Sequence, residues 1–152
     1  MIMDELLLFS DGQAMAGSAG TILSTNVIDL GLPARDIGIG KQQLWCTVLI
    51  ETAPAGADTC RFALVSDVSA AIHATGRTQH FQTPVILVAD LTAGTIAMQF
   101  ALPMDGTEVY EQFLGIQQKN VGSSSLAALR ISAWLSLDVH ASKPGGYPDA
   151  AN

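Results

Sequence analysis

The longest regular alternation in the chain runs over residues 129–139. Leu129, Ile131, Ala133, Leu135, Leu137 and Val139 fall on one side, and Arg130, Ser132, Trp134, Ser136 and Asp138 on the other. A period of two held over that length predicts a strand and leaves little room for helix. Residues 44–50 are almost wholly apolar and β-prone, the pattern of a strand buried on both faces. In residues 60–65, Cys60, Phe62 and Leu64 alternate with Arg61, Ala63 and Val65. Residues 95–102 place Ile96, Met98, Phe100 and Leu102 on one face, and residues 84–89 and 110–118 read as further strands. Between these runs lie turn signals: Pro54 with Gly56, the segment 90–94 ending in Gly94, the pair Asp105-Gly106, and the polar stretch 119–125. Residues 66–83 are small and polar and read as irregular. About seven or eight short strands without a helical stripe predict an all-β sandwich or barrel. A double-sheet jelly roll and an immunoglobulin-like sandwich fit that pattern equally.

Two regions depart from it. Residues 1–23 mix the run Leu6, Leu7, Leu8, Phe9 with small residues from Ala14 to Gly20. So few bulky groups cannot make a core, so the segment reads as an N-terminal arm whose leucines grip a neighbour. In residues 24–41, Val27, Ile28 and Leu30 make a short β-prone run, followed by Gly31, Pro33, Gly38 and Gly40. This is an extended segment entering the β-structure through a glycine-pinned loop. The expected organisation is an arm over 1–23, a β domain over 24–140 and a loose or partner-bound tail over 141–152, rich in Pro and Gly.

Composition sharpens the picture. The chain has 152 residues, enough for one domain that buries about 68–70% of its unfolded surface. Charged residues are only 14%, against about 25% ordinarily. Apolar residues reach 49% before the fourteen glycines are counted, against about 45–50% with glycine included. A domain this small has little interior for the excess, so part of its surface is expected to be apolar and covered by a partner. The net charge is −7, with three lysines and no basic run. Binding to nucleic acid or to anionic membrane is therefore not expected. The acidic start, Asp4 and Glu5 among apolar residues, is no secretory signal, and no run approaches a membrane span. Synthesis and folding in a cytoplasm are expected. Cys46 and Cys60, on runs that could pair, would there stay reduced and buried.

Candidate chemistry is thin. Gly38, Gly40 and Lys41 lack the spacing of a phosphate-binding loop, and the run after them reads as strand, not helix. Asp29 and Asp36 lack the cadence of a calcium loop. His73, His80 and His140 contain no His-x-His pair of the kind a metal-binding jelly roll uses. The close acidic pairs, Asp4/Glu5 and Glu108/Glu111, read as solvated, and no Gly-x-Ser-x-Gly elbow is present. The expectation is a protein that is not an enzyme, with no catalytic residue, cofactor or metal.

Three ordered motifs carry a resemblance. They are Asp4 with Leu7-Leu8-Phe9-Ser10-Asp11-Gly12-Gln13-Ala14, then Ser24-Thr25-Asn26-x-Ile28-Asp29-Leu30-Gly31, then Arg35-Asp36-Ile37-Gly38-x-Gly40. In this order and spacing the chain resembles the capsid cement proteins of tailed bacteriophages, similar to that of the Bordetella phage capsid. The match is dense over the first 41 residues and tracks the strand pattern thereafter. The resemblance implies a jelly roll, and a structural virion protein made in the host cytoplasm. Such a protein binds the outside of the major capsid protein shell and bridges its subunits. Self-association, a dimer before a trimer, is expected with it; the expected contacts are Leu6, Leu7, Leu8 and Phe9 as the apolar grip of the arm, with Asp29 and the adjacent opposite charges Arg35 and Asp36. One departure stands out: the turn Pro103 to Thr107 leads into Val109-Tyr110-Glu111-Gln112-Phe113, where relatives carry an arginine-rich strand. The alternative is a carbohydrate- or host-surface-binding sandwich, which the 6% of aromatic residues disfavours.

Overall fold

The structure is a computed structural model that describes residues 5–17, 20–35, 37, 43–56, 59–103, 108–122, 126–137 and 139. Ten strands occur in order: β1 (Leu8–Ala14), β2 (Thr21–Leu23), β3 (Ile28–Asp29), β4 (Trp45–Thr52), β5 (Thr59–Asp67), β6 (Thr78–Gln82), β7 (Ile86–Leu87), β8 (Ile96–Ala101), β9 (Phe113–Asn120) and β10 (Arg130–Ser136). Helix among the described residues is limited to two 3₁₀ turns, Glu5–Leu7 and Val88–Asp90, neither able to cross a membrane.

One sheet runs β1-β10-β4-β8 and the other β2-β9-β5-β6, with β3 also on β9 and β7 also on β5. All pairings are antiparallel. Counting β2/β3 and β6/β7 as two interrupted edges leaves eight strands in two four-stranded layers. The chain passes between the layers at nearly every step, which is the winding of a jelly roll and not of an immunoglobulin sandwich. The core between the layers is filled from one by Cys46, Val48, Ile50, Ile131, Ala133 and Leu135, and from the other by Cys60, Phe62, Leu64, Leu114 and Ile116.

The strands announced by alternation form where expected. β4 is buried on both faces from Cys46 to Ile50, as its unbroken apolar run requires. In β10 the opposite face is buried too, Ser132 and Trp134 fully. A register shift in β8 turns Ala97, and not Ile96, against the core beside Met98 and Phe100.

Other expectations change. The segment 1–23 is not an arm over its described length: β1 pairs with β10 and β2 with β9, and Phe9 and Met15 are fully buried. An edge strand needs only a few large side chains, because the neighbouring strand supplies the rest of the core. The sandwich thus begins near Leu8 and not at residue 24. Cys46 and Cys60 are buried and not joined by a disulfide, and they sit on strands of different sheets. Burial pushes the Cys46 thiol far above its ordinary pKa. Residues 66–83 contain β6, a polar edge strand. Residues 84–89 shorten to a two-residue strand and a 3₁₀ turn, and the strand expected over 110–118 shifts to Phe113–Asn120. The tail 141–152 lies outside the described residues.

Candidate contact surface

On one side of the sandwich the edges β1 and β2/β3 belong to different sheets, so no ladder joins them. Side chains do. The Gln13 amide donates to the Leu23 carbonyl at 2.9 Å, and its oxygen accepts from the Thr25 amide at 2.7 Å, as a short strand would. One main-chain bond joins them as well, the Asn26 backbone N–H donating to the Phe9 carbonyl at 2.9 Å. Where β2 leaves β9, the Ser24 hydroxyl accepts from the Ile116 amide at 3.1 Å and donates to the Asn26 carbonyl at 2.8 Å. Much of the first two sequence motifs is therefore a seam closing the fold. Gly12, with φ +58°, bonds instead across its own sheet: its amide donates to the Ser132 hydroxyl at 2.9 Å, and that hydroxyl donates to Glu51 at 2.5 Å. A β-carbon there would meet only the movable end of the Glu51 side chain, at 2.9 Å, so it is the backbone conformation that calls for glycine.

Beside the seam the surface is concave. Leu6, Leu7 and Leu8 face the segment from Thr25 to Asp29 across an open groove of about 760 Å³. A second hollow of about 390 Å³ is lined by Asp29, Leu30, Gly31, Arg35 and Ile37, so the two share Asp29. Leu6 is 77% exposed and Leu32, in the turn after β3, 79%. The Asp29 carboxylate accepts from the Gly31 amide at 2.8 Å and from the Gln112 amide at 3.2 Å, which shapes the turn that carries Leu32 and Arg35. Of the residues expected to make contacts, Leu6, Leu7, Leu8, Asp29 and Arg35 are thus brought to adjoining hollows. Phe9 is not among them, since it is fully buried in the core, and Asp36 lies outside the described residues.

A second structured surface escaped the sequence reading. After β5 the chain folds back over the outside of its own sheet, and Ile72 packs on Ala63 and Val65, with Leu23, Val27 and Phe113 around them. Gly115 makes the room: a β-carbon there would lie 2.8 Å from Ile72 and 3.1 Å from Leu23. Asp67 anchors the flap, accepting from the Ser69 amide at 3.1 Å, the His73 amide at 2.9 Å and the His73 ring at 3.0 Å. The His73 amide above all holds the Asp67 carboxyl below the usual carboxylate range, with the Ser69 amide and the His73 ring adding to it against the opposing effect of burial. A lone glycine inside a strand, as at Gly115, is the sequence signal of such a close approach. His80 serves the core side, stacked on Tyr110 with ring centres 4.1 Å apart and 2.8 Å from the Ser66 hydroxyl. His140 lies outside the described residues.

A family model, that of Bbp16, matches residues 9–135. The chain belongs to the Bbp16 family. By its name this is a family of phage proteins. The match runs from Phe9 in β1 to Leu135 in β10, so both sheets, the seam and the flap fall within the Bbp16 region. No curated protein matches the chain.

Proposed function

We propose that the chain is a structural phage protein that binds the outside of a capsid shell and bridges neighbouring shell subunits, most readily as a homodimer. The observation that carries this reading is the pair of adjoining hollows at the open edge of the sandwich. They gather the exposed Leu6, the leucines behind it, Leu30, Ile37 and Arg35, and the exposed Leu32 follows Gly31 in the turn at their rim. An apolar hollow with a charged rim is the composition of a protein-binding surface. Membership of a phage family supports the same reading. The polar side chains near the hollows serve the fold: Gln13 and Ser24 replace missing ladder bonds and Asp29 shapes a turn. That favours a protein that binds over one that catalyses.

Sedimentation of purified protein with shells lacking it tests the reading. Wild type is expected to pellet with shells, and a Leu6→Asp/Leu32→Asp variant to fold normally yet bind at least about tenfold more weakly. Wild type left in the supernatant, or captured by glycans in place of shells, would overturn it.

A further inference from the structure

The chain has only seven lysines and arginines against fourteen acids, and they are scattered in sequence. Folding gathers three of them. Arg61 on β5 and Lys119 on β9 are direct partners in the ladder. Both occupy the outward row of their strands, since Phe62 and Gln118 alternate with them. Arg77, at the end of the flap, leaves the backbone beside Thr78, which is opposite Ser66, five positions along β5 from Arg61. Its guanidinium is held below its ordinary pKa by burial first and by Arg61 second.

This arrangement works against the fold. Like charges directly opposed across a ladder destabilise a sheet. Among the described residues none of the three has an acid at ion-pair distance, the pair His73–Asp67 being the one formed. Arg77 uses one terminal nitrogen on the Ala74 carbonyl, while its Nε is buried without a partner. Among the described residues of a chain with twice as many acids as bases, no acid answers these three.

We propose that the outer face of the second sheet, along β5, receives an acidic segment of the shell protein, its Asp or Glu carboxylates answering Arg61 and Lys119 directly and Arg77 further along the strand. Arg61 and Arg77 offer planar, forked donors suited to carboxylates, and Lys119 a mobile third. Nucleic acid fits poorly, because three cations on a chain of net charge −7 neutralise too few phosphates to outweigh the repulsion. The flap on this face borders the apolar groove, for Val27 both lines that groove and packs against the cluster under the flap. One partner could therefore span both.

The identity of the partner rests on the shell-binding reading, and the test separates the two. Shell binding is measured against rising sodium chloride for wild type and for Arg61→Gln/Lys119→Gln, together with melting temperatures and oligomeric state. A hexaglutamate peptide, with hexaglutamine as control, is titrated against both proteins. The expected result is about tenfold weaker shell binding by the variant at low salt, with a flatter salt dependence. Its melting point should be equal or higher, and hexaglutamate should bind wild type alone. Equal shell binding with an unchanged salt dependence overturns the inference and leaves the shell reading standing. If wild type ignores shells, the shell reading falls, and hexaglutamate decides whether the surface recognises acids at all. A lower melting point would make the cations structural, a change in oligomeric state would make the surface a self-contact, and stronger binding to duplex DNA than to hexaglutamate would make it a nucleic-acid site. Each of these outcomes overturns the inference.

Discussion

The seam and the flap solve the same problem with different chemistry. Each holds a stretch of backbone that no ladder supports. The seam does so with an amide and a hydroxyl, Gln13 and Ser24, which keep their hydrogen-bonding character across the ordinary pH range. The flap hangs on one carboxylate, Asp67, and on the apolar plug Ile72 seated over Gly115. The seam ties two sheets together and belongs to the whole fold, whereas the flap covers a small patch on one sheet. The first should fail globally and independently of pH, the second locally and in acid.

The largest expected effect is at the seam. Gln13→Ala with Ser24→Ala leaves the buried Ile116 amide without its acceptor and strips Leu23 and Thr25 of their partner, costing about 3 kcal/mol of global stability. Urea unfolding at neutral and at acidic pH should return the same loss. Gly115→Val comes next. It places methyl groups where Ile72 and Leu23 already sit, and overpacking there should cost about 2 kcal/mol. If the plug is displaced and the core is not, hydrogen exchange rises over residues 68–77 more than in β10.

Asp67→Ala should do less, about 1 kcal/mol, and its clearest readout is faster exchange at the Ser69 and His73 amides. The smallest effect is the pH dependence of the wild type. The Asp67 carboxyl is depressed in the folded state, so its contribution is complete above the unfolded value near pH 4. It is lost as the pH falls through the lower folded value. The stability gap between wild type and Asp67→Ala should therefore narrow below about pH 4, while the gap for the seam variant stays constant. A gap at Asp67 that ignores pH would remove the distinction between the regions.

Alternation and apolar runs made β4, β5 and β10 legible, because each strand is long enough for its period to show and at least one face enters the core. β1 and β6 were hidden for a shared reason. Both are edge strands whose side chains, Ser10 to Gln13 or Thr78 to Gln82, are largely polar, and their pairing comes from the strand beside them. For the candidate surface, Leu6 and the motif residues Asp29 and Arg35 lie at adjoining hollows. They did not reveal that Phe9, Gln13 and Ser24 face inward or across the seam, since a motif records residues and not the direction in which they point.

By itself the sequence determined the β class, the long central strands and the apolar excess. These come from local period and composition, which need no knowledge of what lies opposite. Only the tertiary structure decided that Cys46 and Cys60 belong to different sheets, that Ile72 returns to Gly115, and that Arg61 and Lys119 face each other across a ladder. Each depends on strand pairings between distant parts of the chain. A local pattern says which face of a strand is apolar, but strands that fit equally well are sorted by the winding of the whole.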